Sequence, residues 1–522
     1  MRRSYRALTG EEALSEQLRG LAGSLEAGFN VAEECVYRHP AEHDALVWQS
    51  GDQRAVIRYG ELAERTRAMA AVLHAEGVRP GSRVAMLLPK RPELLATCMA
   101  IWQLGATLVP LFTAFGPASI EARVSAADAS LVVTEAALIE RLPASCERVL
   151  DVDALPQVKG EAPEFQRHGA DEPFILIFTS GTTGQPKGVP VPLRALPAFR
   201  AYLEYSVDLR PEDRLWNLAD PGWAYGLYYG VVGPMLLGHT IRFLQEKFDG
   251  ERAGAFARAE GITNLMSAPT AYRALVPHLE GVPLRVASSA GETLSADLAR
   301  AFEEKTGAAL RDHYGQSELG MVIGNHHGLE HEVHAGAMGL PNPGFAAAVL
   351  DKERKPVVGV PGQLALHLPS CPLNFFAGYH AGRDAERIGE DGWYLTGDVC
   401  IHYPEGHFAF ASRADDVILT AGYRVGPAEI EEPLMRHAAV QDCAVVGRPD
   451  ETRGEIIVAF VVPTPGLETT QEALLDQLRV YIKREVAAHL APREVHLIDE
   501  IPRTPSGKSQ RFVLRERLLA DG

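Results

Sequence analysis

With 522 residues, 46% hydrophobic and 23% charged, the chain is too long for a single hydrophobic core and has the makeup of a folded protein of two or more domains, not of a disordered one. A formal net charge of −17 excludes broad binding to nucleic acid or to anionic membrane, yet leaves room for a locally basic nucleotide site. Six scattered cysteines without a C-x-x-C pair, an N-terminus without a secretory core and the absence of any long apolar run predict a cytoplasmic protein with reduced thiols and no membrane span.

From about Phe29 to Glu135 helical and extended patterns alternate. Apolar residues fall at helical spacing over Tyr59–Glu76 and Pro92–Leu104, while Arg83–Leu88, Ala106–Leu111 and Leu131–Thr134 read as short strands. Such alternation predicts a parallel sheet flanked by helices. Asp151–Asp171 is rich in Pro, Gly and charge and reads as a surface connection.

The apolar run Phe174–Phe178 predicts a buried strand leading into Thr179-Ser180-Gly181-Thr182-Thr183-Gly184-Gln185-Pro186-Lys187-Gly188. Glycines let successive N–H groups turn toward one point, hydroxyls add donors there and Lys187 adds positive charge, which suits a polyphosphate. This is not the Walker pattern, in which Lys is followed by Ser or Thr and opens a helix. Gly188 follows the lysine, and Pro186, Pro190 and Pro192 disfavour a helix. The loop is expected to join two strands and to fold over phosphates as a flap; the bland alternative is a solvated turn. The stretch resembles the phosphate-loop signature of the adenylate-forming superfamily, which comprises acyl-CoA synthetases, luciferases and the adenylation domains of peptide synthetases.

Further matches follow in family order. Arg214–Leu218 reads as a strand ending at Asp220-Pro221-Gly222-Trp223-Ala224-Tyr225-Gly226; taken alone its aromatics fit an aromatic core cluster better than a ligand wall, but Trp223, Ala224 and Tyr225 are similar to a segment that lines the acyl pocket in acetyl- and medium-chain acyl-CoA synthetases. Ala287–Leu294 contains Ala290, Gly291, Glu292 and Thr293 and resembles the family's adenine-side loop. Asp312-His313-Tyr314-Gly315-Gln316-Ser317-Glu318 resembles Tyr-Gly-x-Thr-Glu: Tyr314 would stack on the purine, Ser317 would donate to the α-phosphate and Glu318 would hold Mg²⁺. By the same resemblance Asp312, His313 and Gln316 join the ATP/AMP set. Thr396-Gly397-Asp398 resembles the motif whose carboxylate accepts the ribose hydroxyls, and Ser412-Arg413-Ala414-Asp415-Asp416 resembles the segment in which Arg413 binds nucleotide and Asp415 is the hinge. Beyond it a small α+β pattern has helices at Pro427–Arg436 and Gln471–Leu490 and strands at Ala444–Val446 and Ile456–Val462, and ends at Pro502-Arg503-Thr504-Pro505-Ser506-Gly507-Lys508.

The resemblance covers nearly the whole chain. It implies an α/β protein with a large N-terminal domain of stacked α/β layers (residues 1–414) and a small mobile α+β C-terminal domain (415–522). The implied reaction joins a carboxylic acid to CoA through acyl-AMP, with ATP, Mg²⁺ and CoA. Both adenylation reactants are anions, so positioned charge dominates the catalysis, and Lys508, Ser317 and Glu318 are the expected catalytic residues. Gly422 would let the pantetheine arm pass and Arg424 would meet a CoA phosphate. Acetate-specific relatives carry Trp where this chain has Gly315 and Val where it has Ala290, which implies an acid larger than acetate: short- or medium-chain, branched or aryl. Tyr225 pushes back on that volume. Loading of a separate carrier protein, a luciferase and a catalytically lapsed regulator remain as alternatives. A homo-oligomer and a lysine acetyltransferase acting on Lys508 are compatible with the sequence.

Overall fold

The apolar runs between Arg83 and Phe178 become neighbours in one six-stranded sheet, in the order Val149–Asp151, Leu131–Thr134, Arg83–Leu87, Thr107–Pro110, Pro173–Thr179 and Lys187–Pro192. The first five are parallel and the last is antiparallel to its neighbour. The helices Tyr59–Ala75 and Pro92–Gln103 lie where the helical spacing predicts them, and Pro117–Ala127 is a third that the sequence reading did not assign; the latter two begin on proline, whose fixed φ and missing N–H suit a first helical turn. Ala85, Leu87, Val109, Leu111 and Leu176 on one face pack against Ile120 and Val124 of the last of these helices. Full burial of each such side chain contributes about 1.5–3 kcal/mol. The computed structural model describes every residue except 1–2, 159, 180–185, 383–386, 414–415, 421–422, 451–452, 468, 486, 488–489, 504–508 and 521–522.

A second six-stranded sheet runs Leu215–Asn217, Asn264–Ser267, Val286–Ala290, Leu310–Gln316, Gly320–Gly324 and Leu340–Pro341, parallel through its fourth strand and antiparallel beyond. Ile241–Leu244, Asp44–Ser50 and Gln53–Arg58 form a three-stranded sheet. These elements belong to one compact unit, Met1–Ala346 with His367–Gly392.

The other unit is Ala347–Leu366 with Trp393–Gly522. It holds an antiparallel sheet of Pro356–Val357, Ala347–Leu350, Pro361–His367, Trp393–His402 and Phe408–Arg413. It also holds a sheet built on the long hairpin Val440–Asp450 and Gly454–Pro463. Side chains alternate across that hairpin, as the pleat requires. Val445, Ile457, Ala459 and Val461 face the helices Ala428–Met435 and Gln471–Glu485, while Ala444, Val446, Ile456 and Val458 face the helix Arg511–Ala520. Division by compactness thus groups 347–366 and 393–413 with the C-terminal residues, whereas the motif order suggests a boundary at 414/415.

Candidate active site

Thr179 pairs with Lys187 in an antiparallel hairpin, so the Gly/Thr-rich stretch connects two strands and opens no helix. Ser180, Gly181, Thr182, Thr183 and Gly184 lie outside the described residues, but both feet of the loop are placed. Lys187 sets its ammonium 6.0 Å from the centre of the Tyr379 ring. The Tyr379 hydroxyl donates to Glu318 Oε1 at 2.7 Å. The foot of the loop and the carboxylate therefore face one another across a single buried tyrosine. Ser317 and Glu318 form the turn between Leu310–Gln316 and Gly320–Gly324, and Tyr228 pins that turn by donating to the Ser317 carbonyl at 3.1 Å. Tyr379 occupies Oε1 of Glu318 and leaves Oε2 as a hard oxygen, the donor that Mg²⁺ prefers. The chemistry of this donor set fits a magnesium–polyphosphate group.

The adenine-side segment sits against the next strand, with Ser289 in register with Asp312 and Ala290 with His313. Gly291, Glu292 and Thr293 follow directly. Glu292 Oε2 accepts from the Thr270 hydroxyl at 2.7 Å and from its amide at 3.2 Å. Its other oxygen, together with Asp312 Oδ1 and the Ser289 hydroxyl, is buried without a hydrogen-bond partner. Orphaned buried polar atoms are costly, and three on or just beyond two adjoining strands fit the donors and acceptors of a nucleobase. Desolvation pushes the Asp312 carboxyl up to about 8, opposed by the amides of Leu294 and His313. Tyr314 and Gln316 lie on the same strand, opposite Ile323 and Gly320.

Two motif residues have tasks that the motif does not announce. The buried His313 ring bonds Tyr202 at Nδ1, 2.7 Å, and the Asn325 carbonyl at Nε2, 3.3 Å, so both nitrogens are spent inside the fold and desolvation pushes the imidazole down to about 3. What His313 can offer a nucleotide is its backbone. At Gly315 the strand pairing shifts register, and a Cβ would stand 2.2 Å from the Gly320 carbonyl oxygen and 2.6 Å from Met321 Sδ. Glycine is required there by close strand approach, whatever volume the position leaves to a pocket. Trp223 lies 5.5 Å from both Phe112 and Phe115, its ring spent on an aromatic cluster and its buried Nε1 without a partner. Ala224 and Tyr225 begin the short helix Ala224–Leu227, and Tyr225 reaches the Tyr202 hydroxyl at 3.2 Å.

In the second unit Asp398 and Arg413 are cross-strand partners, with 3.8 Å between carboxylate and guanidinium. Gly397 lies inside the strand Trp393–His402 with a φ of +79°, a left-handed conformation that glycine adopts without strain, and the neighbouring Thr396 hydroxyl donates to the Leu364 carbonyl at 2.8 Å. Asp415, Gly422 and Lys508 lie outside the described residues, and Arg424 is described only as part of the strand Tyr423–Val425. The flanks of Lys508 are anchored. Arg503 bonds both Asp442 oxygens at 2.9 and 2.8 Å and pairs with Ser509 in a β-bridge. Arg511 reaches Glu431 at 2.7 Å and Asp416 at 3.1 Å, and Arg515 reaches Asp416 at 2.6 Å.

Sequence reading missed Tyr379 and these anchoring arginines. An aromatic in the Phe375–Tyr379 run carries no spacing signal, and its partner Glu318 is 61 residues away.

The profile of the AMP-binding enzyme family matches residues 32–380, and that of the AMP-binding enzyme C-terminal domain matches 429–508. The chain is 31% identical over 539 residues to acetyl-coenzyme A synthetase of Bacillus subtilis (strain 168), covering 98% of this chain and 94% of that one. It is 31% identical over 492 residues to the mitochondrial acyl-coenzyme A synthetase ACSM3 of Homo sapiens, covering 88% and 83%. The crystal structure of Brucella canis acyl-CoA synthetase superposes with a TM-score of 0.77 at 40% identity, covering 99% of both chains.

Proposed function

The chain belongs to the AMP-binding enzyme family and is an ATP-dependent, AMP-forming acid–thiol ligase that uses CoA and magnesium, and from that premise we propose how its own residues divide the work. The Thr179–Gly188 loop with Lys187 holds the pyrophosphate that leaves. Ser317 donates to the α-phosphate, and Glu318 holds the magnesium, which supplies positive charge to the phosphates when bound. Gly291, Glu292, Thr293, Asp312 and Tyr314 take the adenine, and Asp398 with Arg413 the ribose. Lys508 neutralises the charge that the attacking carboxylate and the α-phosphate bring together, a step in which fixed charge is worth most. Gly422 and Arg424 serve the thiol-transfer step, and Asp415 is the pivot between the two half-reactions, in domains 1–414 and 415–522. The observation that carries this reading is the Lys187–Tyr379–Glu318 contact, which sets a loop ammonium and a hard carboxylate on two sides of one ring.

Lys508→Ala is expected to lower acid-dependent ATP–pyrophosphate exchange by on the order of 10²–10³-fold and to spare thioester formation from preformed acyl-AMP. Equal damage to both half-reactions would defeat the assignment.

The acid is larger than acetate, short- to medium-chain or aryl. Support comes from Ala290, which ends its strand with only a methyl group. Pyrophosphate release profiled over C2 to C12 and aromatic acids tests this, and an optimum at acetate overturns it. All six cysteines are free, which supports a reducing compartment, the cytoplasm; among the described residues no helix is long and apolar enough to cross a membrane. Assembly into a homo-oligomer is tested by light scattering, and acetylation of Lys508 by a lysine acetyltransferase, which erases the charge adenylation needs, by mass spectrometry with activity before and after.

A further inference from the structure

The hydroxyls of Tyr225 and Tyr202 and the imidazole of His313 form one hydrogen-bonded chain that ends on a backbone carbonyl. A carbonyl oxygen can only accept. His313, kept neutral by burial, has one N–H, and the Asn325 carbonyl claims it at Nε2. The bare Nδ1 then accepts from the Tyr202 O–H. Having given away its only proton, the Tyr202 oxygen can serve Tyr225 only as an acceptor, so Tyr225 points its own proton inward. Reversing the chain would set the Nε2 lone pair against the lone pairs of the Asn325 carbonyl. Tyr202 is 1% exposed, whereas Tyr225 is only partly buried. The last oxygen of the chain, on Tyr225, therefore has lone pairs and no proton to give.

We propose that the Tyr225 hydroxyl is a polarity filter in the acyl site, an acceptor that selects acids bearing a hydroxyl donor on the acyl chain over alkyl and ether analogues. The inference rests on the assignment of Tyr225 to the acyl pocket. It goes beyond size, because a ring that only limited volume would treat a hydroxyl, a methyl and an ether oxygen nearly alike, whereas a fixed acceptor favours the first and repels the lone pairs of the last.

The test is a panel of C4 to C8 acids with a hydroxyl at successive carbons, each paired with its unsubstituted analogue and its methyl ether, assayed by kcat/KM for AMP formation in the wild type, Tyr225→Phe and Tyr225→Ala. At one position or more the hydroxy acid is expected to exceed both analogues by about tenfold, the size of one neutral hydrogen bond, and Tyr225→Phe to erase that ratio while keeping the chain-length profile. Absence of the preference in the wild type, its survival in Tyr225→Phe, or a preference for the ether overturns the proposal. Tyr225→Ala separates the two layers: a shift toward longer or bulkier acids upholds the pocket assignment, and an unchanged profile in both variants removes that assignment and the filter with it.

Discussion

At Glu318 one hydroxyl decides which carboxylate oxygen is left for a cation. Groups that orient a metal ligand typically tune affinity by 10–100-fold, so Tyr379→Phe is expected to raise the magnesium concentration for half-maximal ATP binding by about tenfold or more; calorimetric titration of ATP at several magnesium concentrations reads this without turnover. Burial at His313 and His326 has a different readout. Both imidazoles are held below their ordinary value by desolvation, so the unfolded chain binds protons below about pH 6.5 that the fold refuses. Stability is complete above that pH and falls as pH drops, each ring costing about 1.4 kcal/mol per pH unit. Thermal midpoints of the ligand-free protein from pH 7.5 to 5 are expected to decline, and less steeply in His313→Gln. Legible at this scale was the phosphate loop's place between two strands, borne out by the pairing of Thr179 with Lys187. Tyr379 and the inward use of His313 were not, because each depends on partners far along the chain, Glu318 for one, Tyr202 for the other.

The hairpin Leu310–Gln316/Gly320–Gly324 shows how an element constrains its residues. The space that a side chain at Gly315 would enter is filled by the backbone of the facing strand. Gly315→Trp is therefore expected not to convert the enzyme into an acetate-specific one but to destabilise it by about 3 kcal/mol or more, in the range of severe overpacking; thermal midpoint and acid profile, measured together, distinguish the outcomes. In the second unit Arg511 joins the C-terminal helix to Glu431 and Asp416. Arg511→Met leaves Glu431 without its guanidinium while Asp416 keeps Arg515, and the loss of a largely buried pair of this kind costs up to about 3–5 kcal/mol; it is expected to harm pyrophosphate exchange more than thioester formation, because Lys508 lies three residues away. Helices and parallel strands were readable from period alone. The hairpin Val440–Pro463 was read as shorter pieces, since its outer residues, among them Asp442, Arg448 and Pro449, are strand by pairing and not by propensity.

For the whole molecule, local pattern could announce α/β layering and a distinct C-terminal α+β unit, but not the discontinuity of the units. Residues 347–366 and 393–413 complete one sheet, and no property of either stretch names the other as its partner. Among the described residues, both cores flanking the Val440–Pro463 hairpin draw on residues from Ile418 to Leu518. A fragment of residues 416–522 is accordingly expected to fold alone and to melt in one cooperative transition by circular dichroism; a non-cooperative profile would show that it borrows stability from the rest of the chain.

Connectivity has a mechanical corollary. The backbone passes between the two units after Ala346, after Leu366 and after Gly392, so a single chain break at any one of these crossings still leaves them joined by two others.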